Sequence, residues 1–190
     1  MKNTGKYIRT ILIAAVAAVG ILASGCVPQE RSSVRRDPDL TPQTGVDIDF
    51  VQVHNGTIDA FGEDNPYVFI TDVYIDGTND PKAVTVTATC LDETTEEDAE
   101  HFAAAAVRRI GAEIAVQSGE FDGGDQQSFG NVWDTFSLKL TVQKESAAEG
   151  EYLLELDVPA GEEIPLDPDI ESYEESWEEQ RDMMLENTVY

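Results

Sequence analysis

The apolar positions change period several times along the chain, and each change marks an element. Residues 46–53 follow a period of two, with Val46, Ile48, Phe50 and one or both of Val51 and Val53 as the apolar positions. They predict a strand ending at His54, where Asn55-Gly56 is a hairpin-type turn signal. Tyr67 to Ile75 is nearly continuous in apolar and aromatic residues, the pattern of a strand covered on both faces, and Asp76–Pro81 is a turn cluster. Ala83 to Cys90 then alternates cleanly. Val84, Val86, Ala88 and Cys90 fall on one face, and Thr85, Thr87 and Thr89 on the other.

Thr94-x-x-Glu97 has the form of a capping box before an Ala-rich helix. Ala99, Phe102, Ala103, Ala106 and Ile110 share one face of it. Arg108 and Arg109 suit its negative end and Gly111 suits a C-cap, so the helix is expected to stop near Ile110, with Glu113–Ser118 a short strand. The alternative is one helix running through Gly111 to Gln117, since an interior Gly costs only about 1 kcal/mol.

Gly119–Asn131 reads as a polar loop. Val132–Gln143 reads as a strand, with Phe136, Leu138, Leu140 and Val142 on one face. Tyr152, Leu154, Leu156 and Val158 repeat the pattern, and the short link between the two predicts an antiparallel hairpin with its polar face in water. Asp167-Pro168-Asp169 opens a last helix with Ile170, Tyr173, Trp177 and Met184 on one stripe. The expected fold class is α+β: a mainly antiparallel sheet of about five to six strands, one Ala-rich helix packed on it, and an acidic amphipathic C-terminal helix.

The first residues follow a different rule. Lys2, Lys6 and Arg9 precede an uncharged run from Ile11 to Gly25, too short for a spanning helix but of secretory length. The run ends Leu22-Ala23-Ser24-Gly25-Cys26. This segment resembles the signal peptides of prokaryotic lipoproteins, with Ala23 where Leu is usual. The resemblance covers residues 1–26 only. It implies cleavage between Gly25 and Cys26, a diacylglyceryl group on the Cys26 sulfur, and anchoring on the extracytoplasmic side of a membrane. An ordinary cleavable signal peptide and an uncleaved short anchor are the alternatives. Cys90 then has no disulfide partner. Residues 26–45, with three prolines and Arg31, Arg35 and Arg36, form a tether whose cations suit either anionic head groups or plain solubility. The domains are thus 1–25 signal peptide, 26–45 lipidated Cys and tether, 46–160 α+β domain, and 161–190 acidic helix.

Charge narrows the partners. The chain holds 12 Lys and Arg against 38 Asp and Glu, a net charge of −26. Removing residues 1–25 leaves nine cations against the same 38 acids, a surface that repels nucleic acid. A membrane reached through the lipid, and a basic protein or cationic ligand, are the partner classes that remain. So acidic a surface also suits high salt, where screening relieves self-repulsion.

Candidate chemistry is sparse. Cys90 continues a core face, and His54 and His101 are the only imidazoles, His101 being placed on an exposed helix face beside Glu97. Neither pattern makes a nucleophile–base pair, and no cofactor is implied. Asp122, Asp125 and Asp134 around the glycine-rich loop are weak candidates for calcium, which takes only oxygen ligands, and Asp76, Asn79 and Asp80 form a second oxygen-rich turn. Trp133 and Trp177 are candidate aromatic platforms or packing residues. The leading expectation is a lipid-anchored, non-enzymatic binding module. A calcium- or cation-binding domain and a carboxylate-based hydrolase are the alternatives.

Overall fold

The computed structural model describes residues 44–61 and 66–178. The signal peptide, Gly25, Cys26, most of the tether and Met184 lie outside the described residues. Helix α1 spans Phe50–Phe61, strand β1 Ile70–Asn79, strand β2 Lys82–Cys90 and helix α2 Glu96–Gln117. A 3-10 turn at Val132–Asp134 precedes strands β3, Ser137–Lys144, and β4, Leu154–Val158. A third helix, α3, covers 171–178 within the described residues.

The class is α+β, but the sheet has four strands in the order β1-β2-β3-β4, and its central pair is parallel. The outer pairs, β1–β2 and β3–β4, are antiparallel. The parallel pair follows from the length of α2. Its 22 residues form a crossover long enough to bring β3 back in the direction of β2. The register aligns Ile75, Val86, Leu140 and Leu156 across the helix-covered face. One row away, Tyr74, Thr87, Thr141 and Glu155 align on the open face. Thr141 is an exception to a wet polar face, being buried with its hydroxyl directed at the Val86 carbonyl.

Five sequence expectations are corrected. Residues 50–61 are helical rather than a strand and turn, so Asn55-Gly56 lies inside α1. Here Asp49 caps the helix, its Oδ1 accepting the Val51 and Gln52 amides at 3.0 and 3.2 Å. The strand expected from Tyr67 starts at Ile70, runs through the supposed turn to Asn79, and exposes its outer face. The capping box belongs to Thr95 and Asp98, one residue later than expected, while Thr94 is buried. Helix α2 continues through Gly111, so Glu113–Ser118 is not a strand, and Arg108 and Arg109 sit mid-helix. Trp133 belongs to the 3-10 turn and is buried, rather than lying on a strand face.

The core lies between the sheet and the alanine face of α2, where Phe102, Ala103, Ala106, Val107, Ile110 and Ile114 are buried. The large buried rings of Phe102 and Phe136 belong to the same core. Each such burial stabilises the fold by about 1.5–3 kcal/mol.

The described end of the chain packs against α2. Arg108 Nη2 contacts Glu171 Oε1 at 2.7 Å, and Arg109 Nη2 contacts Glu174 Oε1 at 2.8 Å. Tyr173 stacks on His101 with ring centroids 4.3 Å apart and on Tyr67 at 5.7 Å. His101 is therefore half-buried beneath an aromatic ring rather than free on the surface. Ile170 is buried, so this part of the C-terminal stripe is already packed.

Candidate functional site

Helix α1 carries two faces, and the second one makes the site. Val53, Thr57 and Phe61 repeat every four residues and are buried. Val51, His54 and Ile58 form a neighbouring stripe turned toward the edge of the sheet, with Val51 71% and Ile58 37% exposed. The start of α1 is pinned from both sides. Asn79 Oδ1 accepts the Ile48 amide at 2.9 Å while its Nδ2 donates to the Ile48 carbonyl at 3.0 Å. Gln117 brackets the backbone of Asp49 in the same way, at 2.8 and 3.2 Å.

His54 joins the stripe to strand β1. The Ile75 amide donates to His54 Nδ1 over 3.2 Å, and the Tyr74 ring lies 5.8 Å from the imidazole. A backbone amide can only donate, so Nδ1 is unprotonated and the neutral ring carries its proton on Nε2. The same bond shows that Ile75 points its amide away from β2, along the free edge of the sheet. The next outward amide, Gly77, is taken by the Asp76 carboxylate at 2.8 Å. Two of the donors on an exposed sheet edge are thereby consumed inside the chain, which protects the edge from pairing with another strand.

Two grooves flank the imidazole, and His54 is the one described residue that lines both. The first, about 430 Å³, is bordered by Ile58, Phe61, Tyr67, Val73 and Phe102, with Asp72 the only charged lining residue among those described. The second, about 550 Å³, lies between the start of α1 and β1. Ile48, Phe50, Val51, Tyr74 and Ile75 supply its apolar surface. Asp49, Asp76 and Asp80 supply its charge, and among the described residues neither groove is lined by a Lys or Arg. Gly77 is required in the second groove, because a Cβ there would sit inside the van der Waals envelope of the Phe50 ring.

The carboxylates singled out from sequence are not brought together. Asp122 turns onto the Gly124 amide at 3.1 Å and Asp125 onto the Gln127 amide at 2.8 Å, so both organise their own loop. Asp134 is exposed in the 3-10 turn. Gly130, at φ +80°, lets this loop close against the Asp122 carbonyl, where a side chain would collide. Among the described residues no three His, Cys, Asp or Glu side chains form a group able to hold a metal ion. In the second oxygen-rich turn, Asp76 and Asn79 are likewise spent on the Gly77 and Ile48 amides.

Other titratable groups report packing. Burial pushes the Cys90 thiol up, away from the reactive thiolate, with the Thr94 hydroxyl opposing. Burial also raises the Tyr67 phenol, helped by the charge of Glu174, and raises Tyr173 to about 12, helped by Asp98. Hydrogen bonds from Ser146 and Ser172 hold Asp92 and Asp169 below the usual carboxylate range.

The groove beside α1 was missed in sequence because residues 46–54 read as a strand. A signal was present: Asp49 with Gln52 three residues on, then Val53, Thr57 and Phe61 at helical spacing, is a helix start. No protein-family model, curated protein or solved structure matches this chain.

Proposed function

We propose that this chain is a lipid-anchored binding module, held at the extracytoplasmic face of a membrane through Cys26, with the grooves beside His54 as its binding surface. The observation that carries the binding half is the exposed stripe of Val51, His54 and Ile58 facing two open, partly apolar grooves. Binding is favoured over catalysis because the reactive groups are already committed. His54 Nδ1 holds a backbone amide, His101 lies against Tyr173, and the Cys90 thiol is buried. The anchoring half rests on the basic, apolar and small-residue order of residues 1–26.

Membrane fractionation of the native protein beside Cys26→Ser, produced in a prokaryotic host with its lipoprotein machinery, tests the anchor. The native chain should partition with membranes and take up labelled acyl chains, and the variant should do neither. Equal partitioning of the two, with no acyl label on the native chain, contradicts it.

A further inference from the structure

We propose that the larger groove, between the start of α1 and strand β1, receives an extended, basic and partly apolar peptide segment of a partner protein. This deepens the binding half of the reading above and is independent of the anchor.

Three properties of the groove select that occupant. Its wall is an edge strand, whose residues 74–79 cover roughly 20 Å at about 3.3 Å per residue, the length of an extended segment of five or six residues. Its mouth is apolar, since Val51 is 71% and Tyr74 58% exposed in the same groove. Its backbone edge presents acceptors. The Ile75 and Gly77 amides are used by His54 and Asp76, while the alternation of the ladder leaves the carbonyls of both residues on the outward side. Asp49, Asp76 and Asp80 add carboxylates, with no lining cation among the described residues to neutralise them.

A neutral strand adding to β1 would need donors from residues 75 and 77 and would find them occupied. A ligand that brings its own donors on Lys or Arg side chains, with apolar residues alternating between them, meets acceptors and apolar surface in turn. Four of the described cations are held elsewhere. Arg108 and Arg109 pair with Glu171 and Glu174, Lys82 lies over the Phe121 and Phe136 rings, and Lys144 donates to the Asp92 carbonyl. The resulting negative field also speeds the approach of a basic partner.

The test is a titration of the full-length ¹⁵N-labelled protein in detergent with a blocked heptapeptide alternating Lys and Val, followed by NMR at about 0.1 M salt. Saturable shifts should be confined to residues 48–54 and 74–80, and the same peptide with Glu for Lys should not bind. Val51→Arg, at an exposed position, should keep the folded spectrum and weaken binding at least about tenfold. Glu155→Gln changes the net charge by the same amount on β4, the opposite edge strand, and should leave affinity within about twofold. Absence of saturable binding overturns the inference. So do shifts outside the groove, equal binding of the Glu peptide, or equal weakening by Val51→Arg and Glu155→Gln. None of these results bears on acylation of Cys26, which fractionation reads separately.

Discussion

His54 Nδ1 accepts the Ile75 amide over 3.2 Å, so one imidazole ties helix α1 to the edge of the sheet and separates two grooves. Replacing His54 by Ala leaves that amide without its partner beside a groove that water reaches. The loss should cost about 1 kcal/mol of stability and speed hydrogen exchange at Ile75 about fivefold or more. The amide of Val86, on the central strand opposite, should change far less. Unchanged exchange at Ile75 in a stably folded variant would show that the bond holds nothing in place.

The ion pairs under the C-terminal segment make a prediction of sign. Arg109 bonds Glu174 at 2.8 Å and its guanidinium lies 5.5 Å from the Phe61 ring centroid. Both partners keep about a quarter of their side-chain surface, so a double-mutant cycle should give a coupling of about 1 kcal/mol. Raising salt should shrink that coupling while raising the melting temperature of the whole protein. The pair is screened, but so is the repulsion among the acids. A melting temperature that falls steadily with salt would mean that the pairs outweigh the repulsion.

Phe50 packs directly on Gly77, and this contact shapes the floor of the larger groove. Gly77→Ala should force the ring aside and destabilise by about 1–3 kcal/mol. In a Phe50→Leu background the same change should cost less, because the smaller side chain can yield. Equal costs in the two backgrounds, read from denaturant midpoints, would remove the steric account.

Alkali should loosen the aromatic stack. Tyr173 titrates at about 12 in the folded chain, raised chiefly by burial and then by Asp98, against about 10 when unfolded. A raised pKa means that the folded chain prefers the neutral phenol. The stability this adds is complete below pH about 10 and is lost as pH rises through about 12. Tyr173→Phe should move the alkaline transition upward when tyrosinate absorbance and helicity are followed together. Ionisation of all tyrosines near pH 10 with helicity intact would contradict the packing.

Much of this arrangement was legible in the residues, and the failures have physical causes. The Val84–Cys90 alternation and the β3–β4 hairpin were readable because each strand has one face in the core. Helix α1 was not, because its apolar residues serve two faces at once and mimic a period of two where Ile48 and Phe50 meet Val51 and Val53. Gly111 reads as a helix end yet lies mid-helix. It sits where the loop carbonyls of Gly123 and Phe129 pass close to α2, so its small size serves a neighbour rather than a cap. With the helix cut short, the crossover vanished and the parallel pairing of β2 with β3 went with it. The loop acids looked like ligands because Asp side chains also serve as turn formers, which is their role at Asp122 and Asp125.

The most direct test of an anchored binding module is the mass of its N-terminal peptide, taken from protein extracted from its own membranes. The expected peptide begins at Cys26 and carries a diacylglyceryl group on the sulfur. A peptide that retains residues 1–25, or one that begins elsewhere with a free Cys26 thiol, would contradict it.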